Sequence, residues 1–157
     1  MPFEEDCCIE NVELHIVKYR PIEKQKELNA LYMSIANSFA GQSKDPKFKV
    51  GALIVTPEGI LYPGYNGDEI GGNNVRDSLE TGQSGFVHAE ANAILKFNPT
   101  IHKGSKMYLT YNPCSVCARM IVNTQAIYEV WYDKEYSADM KGVEILKARG
   151  ICCERIK

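Results

Sequence analysis

An α/β fold is predicted: a mixed five-stranded central sheet sandwiched by helices in three layers. Three observations point to it. Short runs rich in β-branched and apolar residues recur five times along the chain. In the second half these runs alternate with helical stretches, the pattern of parallel strands joined by crossover helices. The length of 157 residues, with 45% hydrophobic and 24% charged residues, suits one domain around one core. The domain is taken as residues 1–157, with 1–21 an N-terminal extension.

The elements follow in order. Val12, Leu14 and Ile16 alternate with Glu13 and His15, a period-2 run that fits an extra N-terminal strand at 12–17. From Pro21 to Ala40, Leu28, Leu31, Ile35 and Phe39 recur at three- and four-residue steps, which predicts a helix that Gly41 stops. Residues 43–46 are a loop by composition, and 50–56 read as a buried strand. A turn at 57–59 leads to its hairpin partner at 60–65. Residues 67–87, rich in Gly, Asn and Asp, form the longest loop, and loops of that length in a compact domain are usually functional. A helix from His88 through Leu95, a strand at 106–110 and a helix opening at Pro113 come next. A strand at 127–132, a helix at 138–149 and a last strand at 151–156 complete the order.

The net charge of −2 offers no basic field for a polynucleotide backbone, so no nucleic-acid partner is expected. No apolar stretch approaches the roughly 20 residues that span a bilayer. The acidic start MPFEEDCCIEN lacks the basic and apolar regions of a signal peptide, and a cytoplasmic location is expected. The six cysteines are accordingly expected to stay reduced. The adjacent pairs Cys7–Cys8 and Cys152–Cys153 read as small apolar thiols in or near the core.

The chemistry concentrates in His88-Ala89-Glu90 and Pro113-Cys114-Ser115-Val116-Cys117. One imidazole and two thiolates suit a zinc ion, and three protein ligands leave the fourth position open to water, as in catalytic rather than structural sites. Cys114 and Cys117, three apart at a helix start, lie on one face near the positive end of the dipole, which favours thiolates. Pro113 fits the first turn of that helix. Glu90, two residues from a ligand, is placed to move protons at the open position. The plainer reading is a closed zinc knuckle with Glu90 as a capping carboxylate. It needs a fourth ligand, and His15 and His102, read as surface residues, have no ligand spacing to the cluster.

This H-x-E…P-C-x-x-C pattern is the signature of zinc deaminases. With Ser43-Lys44-Asp45-Pro46, Val50-Gly51-Ala52, Gly64-Tyr65-Asn66-Gly67, the extended 88–94 segment and Met107-Tyr108-Leu109-Thr110, the chain closely resembles the deoxycytidylate (dCMP) deaminases of the cytidine-deaminase-like superfamily over residues 28–156. The resemblance implies the cytidine-deaminase-like fold and hydrolysis of dCMP to dUMP and ammonia. His88, Cys114 and Cys117 would be the Zn2+ ligands and Glu90 the proton shuttle. Asn66 would hydrogen-bond the base or sugar, and the backbone of Ala89 would orient the pyrimidine. Gly64, Asn66 and Gly67 match a segment beside which the family often binds a deoxynucleoside triphosphate with Mg2+, so dCTP and dTTP are candidate effectors; for the two glycines a plain hairpin role is equally open. Homo-oligomers, commonly hexamers, are implied as well.

Two departures bear on the substrate. Gln42 stands where the family usually has an arginine, and Gln83-Ser84-Gly85-Phe86-Val87 lacks the arginine many members carry before H-x-E. An arginine fork is the natural partner of a monophosphate. Lys44, Lys49, Lys134 and Tyr136 remain as candidates, together with backbone N–H groups of the 67–87 loop. Deaminases of another base, nucleoside or nucleotide, editors of tRNA or single-stranded DNA, and a non-catalytic nucleotide sensor stay open as alternatives.

Overall fold

The computed structural model describes residues 21–136 and 139–157. The alternating run at 12–17, Cys7, Cys8, His15 and the expected helix start at 138 lie outside the described residues. Among the described residues there are four helices and five strands: α1 (Ile22–Ala40), β1 (Gly51–Val55), β2 (Leu61–Tyr65), α2 (Ala89–Lys96), β3 (Ser105–Tyr111), α3 (Ser115–Thr124), β4 (Ile127–Lys134), α4 (Lys141–Ala148) and β5 (Cys152–Arg155). The strands form one mixed sheet in the order β2-β1-β3-β4-β5. The β2-β1-β3 half is antiparallel and the β3-β4-β5 half parallel, each parallel step bridged by a helix.

Side chains alternate across the sheet, so each central strand feeds two cores. Ala52, Ile54, Met107 and Leu109 face α2, α3 and α4, where Ala93, Ile121 and Leu146 complete the larger cluster. Leu53, Val55 and Tyr108 face the other side and meet Met33 and Ala36 of α1. The expected three layers follow. Strand β2 sits at the edge and carries Pro63, a residue that edge strands tolerate.

The buried stripe of α1 differs from the expected one. It consists of Asn29, Met33, Ala36 and Ala40, whereas Leu31 is exposed. Close packing explains the shift: a Cβ on Gly51 would stand 2.0 Å from the Ala36 carbonyl oxygen, so the helix lies on β1 through its smallest residues. His102 also departs from its surface reading. It is buried, stacks on Phe97, and lies between the Tyr62 hydroxyl at 3.0 Å and Glu58 at 3.3 Å. Cys152 and Cys153 are buried at the start of β5. Cys153 is a free thiol whose pKa burial pushes up to about 12. Cys152 is disulfide-bonded, against the expectation that all six cysteines stay reduced.

Candidate active site

The site forms where β3 ends and α3 begins, at the carboxyl end of the parallel strands, the usual position of sites in open α/β sheets. Two helix N-termini converge there. His88 caps α2 with extended backbone, and Glu90 lies in the first turn of that helix. Cys114 caps α3, its Sγ accepting a hydrogen bond from Cys117 N–H at 3.4 Å. Pro113 therefore precedes the helix instead of occupying its first turn. The cap explains this: Cys114 must be extended to turn its sulfur back on the third residue of the helix.

The seating of both halves depends on two close approaches. A Cβ on Gly64 in β2 would stand 2.2 Å from the Ala89 carbonyl oxygen, and one on Gly142 in α4 would stand 1.9 Å from that of Pro113. The hairpin is thus pressed against the turn carrying His88 and Glu90, and α4 against the turn carrying Cys114.

His88, Cys114 and Cys117 meet as a group able to hold a metal ion, their ligand atoms all within 4.8 Å of one another. His88 Nδ1 lies 3.6 Å from Cys114 Sγ and 3.4 Å from Cys117 Sγ. A tetrahedral zinc with bonds of about 2.0 Å to nitrogen and 2.3 Å to sulfur separates these atoms by about 3.5 Å. The residues fit the ion, with Nδ1 as the imidazole ligand.

The electrostatics favour a cation. Hydrogen bonds from the Cys117 thiol, from His88 and from the Cys117 backbone outweigh burial and hold the Cys114 pKa at about 4. The neighbouring Cys114 sulfur, burial and Glu90 raise the Cys117 pKa, so the second proton is retained until a metal displaces it. The hydrogen bond to Cys114 raises His88, opposed by burial and helped by Glu90. Glu90 is 5% exposed, and burial raises its pKa, although its own backbone N–H and His88 oppose the shift. The shift favours the protonated carboxyl, the form that can hand a proton on.

The other expected residues take distinct places. Ala89 is fully buried beside His88. Gly67 bridges to Val87 and closes the base of the long loop. Asn66 is buried, its side-chain amide donating to Phe48 O at 2.8 Å and Asp45 Oδ2 at 3.2 Å and accepting from Val50 N–H at 2.8 Å. Lys134 is exposed, with Nζ 5.6 Å from the Tyr111 ring centroid. Tyr136 follows β4, and its N–H donates to Asn112 Oδ1. Lys44 and Lys49 are exposed in the 43–49 segment.

Sequence reasoning passed over Phe48, Tyr111 and Asn112, which the structure brings to this end of the sheet together with the expected Tyr136. Phe48, Tyr111 and Tyr136 form a cluster of half-buried rings with centroids 5.2–6.4 Å apart. Asn112 fastens the segment after β4 by accepting from Tyr136 N–H and donating to Asp139 O. Tyr111 and Asn112 immediately precede the PCxxC motif, a position that could have drawn notice; Phe48 carries no local signal. The loop's one arginine, Arg76, is buried against Asp45 and so is not presented to a phosphate.

A histidine and two cysteines around an open cation site, with a buried carboxylate two residues from the histidine, define a zinc-deaminase type of centre. Residues 26–134 match the family described as the cytidine and deoxycytidylate deaminase zinc-binding region. The chain belongs to this family. It is 37% identical over 119 residues to human deoxycytidylate deaminase, covering 69% of this chain and 66% of that protein. It is 31% identical over 137 residues to the ComE operon protein 2 of Bacillus subtilis, covering 82% of this chain and 71% of that one. The fold superposes with a TM-score of 0.71 and 30% identity on the dCMP deaminase of cyanophage S-TIM5 solved with dCMP and dUMP, over 82% of this chain and 96% of that one.

Proposed function

We propose that this protein is a zinc-dependent dCMP deaminase, converting dCMP and water to dUMP and ammonia. The likeness to the cyanophage enzyme, solved with dCMP and dUMP, supports the substrate, since it extends over nearly the whole of that chain. The buried Glu90 beside three metal-fitting side chains supports the reaction class.

His88, Cys114 and Cys117 would hold the ion. Zinc, when bound, acts as a Lewis acid that lowers the pKa of water at its open position towards about 7. Glu90 accepts the proton that this water loses and delivers it to a ring nitrogen of the cytosine as oxygen adds at C4. It then takes the proton of the hydroxyl added at C4 and carries it to the departing amino group, so the C4–N bond breaks, ammonia leaves and the carbonyl of dUMP forms. The Ala89 backbone orients the pyrimidine and Asn66 bonds base or sugar. The half-buried Phe48, Tyr111 and Tyr136 rings supply apolar surface beside the site. Lys44, Lys134 and Tyr136 are the candidates for the phosphate, given that Arg76 is spent on Asp45.

The reading extends to regulation by dCTP and dTTP with Mg2+ at Gly64, Asn66 and Gly67, to a homo-oligomer such as a hexamer, and to the cytoplasm. No described helix is long and apolar enough to cross a membrane. The test is a panel of dCMP, CMP, dCTP, deoxycytidine and guanine read by ammonia release, with and without dCTP and dTTP. Preference for dCMP is expected, with a sigmoidal dCMP curve straightened by dCTP. Equal rates on deoxycytidine and dCMP overturn the substrate assignment, and an effector-independent hyperbola overturns the regulation.

A further inference from the structure

The long loop is docked, and its anchor is ionic. Arg76 is the only arginine between Arg20 and Arg119. Its Nη1 donates to Asp45 Oδ2 at 2.5 Å, with the two side chains 5% and 2% exposed. The same guanidinium gathers its own loop, Nε donating to Ser78 O at 2.9 Å and Nη2 to Glu80 O at 3.4 Å. A buried charge pair of this kind persists only where its remaining hydrogen-bonding positions are filled. They are: Asp45 Oδ1 accepts from Lys47 N–H at 2.8 Å, and Oδ2 accepts also from Asn66 Nδ2 at 3.2 Å.

Asn66 is thereby constrained. An ionised carboxylate only accepts hydrogen bonds, so it can face only the NH2 end of the amide. The NH2 group spends both hydrogens, on Asp45 and Phe48 O, and Oδ1 accepts from Val50 N–H. One lone pair of Oδ1 is the only hydrogen-bonding position the amide has left, and what it meets must be a donor such as a hydroxyl or amine. Burial by itself would raise the Asp45 pKa; the Lys47 N–H, the Arg76 side chain and the Phe48 N–H outweigh it and hold the carboxyl below 3.8. A neutral acid there could donate as well as accept, and the amide would be left to the backbone groups of Val50 and Phe48 alone.

We propose that Arg76 is a positioning residue for the deamination: through Asp45 it holds the third contact that, with Val50 N–H and Phe48 O, secures the Asn66 amide towards the nucleotide, while docking the 67–87 loop beside the site. This rests on the reading of Asn66 as a substrate contact. The test is a double-mutant cycle on dCMP turnover with Arg76→Gln, Asn66→Ser and the double variant, alongside zinc content and thermal midpoint. Arg76→Gln is expected to lower kcat/KM about tenfold, mainly through KM and with zinc fully retained, as for residues sharing one hydrogen-bond network. In the Asn66→Ser background the same change should cost less than about twofold. A tenfold loss in both backgrounds overturns the proposal.

Arg76→Lys, which keeps the charge, serves for the cycle if Arg76→Gln does not fold, and is expected to fall between wild type and Arg76→Gln in KM if both fold. The side-chain 15N amide resonances of Asn66 provide a second measurement that needs no turnover. They should move on Arg76→Gln or Arg76→Lys, and unchanged resonances overturn the proposal. Absence of ammonia release by the wild-type protein counts against the dCMP reading alone, and the amide resonances still decide the role of Arg76.

Discussion

Replacing Gly64 by alanine tests how the hairpin seats the site. The glycine has ordinary negative or extended φ, so the cost is one of space and not of backbone conformation. A Cβ would stand 2.2 Å from Ala89 O, 2.6 Å from Ala93 N and 3.1 Å from Ala93 Cβ. Ordinary contact begins near 3.4 Å, so β2 and α2 must part by about 1 Å, and the two nearest atoms belong to a helix backbone that cannot swing aside. Overpacking of this size costs about 1–3 kcal/mol. For a chain of this length that is roughly 2–4 °C of Tm per kcal/mol. The displaced segment begins at His88 and carries Glu90, and misplacing reacting groups by about 1 Å can cost about 100-fold in turnover. Calorimetry and dCMP turnover without effector are the assays. A lowered Tm together with a large loss of basal kcat is expected. Retention of full basal kcat with loss only of the dCTP response would refute the seating argument and make Gly64 a purely regulatory residue.

The remaining predictions concern the shuttle, the metal and two buried ion pairs. Glu90→Gln should lower kcat by about 10²–10⁴ with zinc retained, by turnover and metal analysis; near-normal turnover would remove Glu90 from the chemistry. Chelation of zinc should lower Tm by an amount that follows mass action, about 2.7 kcal/mol of stability at metal a hundredfold above its dissociation constant. A metal-independent Tm would contradict the His88–Cys114–Cys117 site. Lys106 Nζ lies 3.1 Å from the buried Glu129, whose pKa burial raises against the attraction of Lys106 and a hydrogen bond from Trp131. Glu129→Gln should therefore cost about 3–5 kcal/mol in chemical denaturation by stranding that ammonium, and Lys106→Met in the same chain should recover much of it. Asp45 has a folded pKa below its ordinary 3.8. Its contribution is thus present above pH 3.8 and lost as the pH falls through the folded value. The Tm gap between wild type and Asp45→Asn should narrow over that acid range, and a constant gap would show that ionisation of Asp45 does not matter.

Particular elements show what could be read in the chain. The five strands and the order of helices were legible because apolar periodicity and turn residues act locally: β1 to β5 fall within one or two residues of the expected bounds. The end of α1 at Ala40 before Gly41 is likewise a local event. The face of α1 was not legible. Periodicity favours the largest apolar residues, whereas contact with Gly51 favours the smallest, and only the packed sheet decides between them. His102 was misplaced for a similar reason, since its partners Tyr62 and Glu58 lie 40 and 44 residues away in the chain.

The candidate site divides in the same way. The sequence by itself determined the types of ligand and their local geometry, because His88 and Glu90 share one helix start and Cys114 and Cys117 another. Short-range spacing sets which side chains share a face. Only the tertiary structure decided that the two starts meet with Nδ1 3.4–3.6 Å from the sulfurs, and that Gly64 and Gly142 are the pressure points that hold them there. It alone showed that Arg76 turns inward to Asp45, which Asn66 also contacts, instead of outward to a phosphate. The physical reason is common to both: contacts between residues some 20 to 30 positions apart depend on how the sheet and its loops close, and local sequence carries no record of that closure.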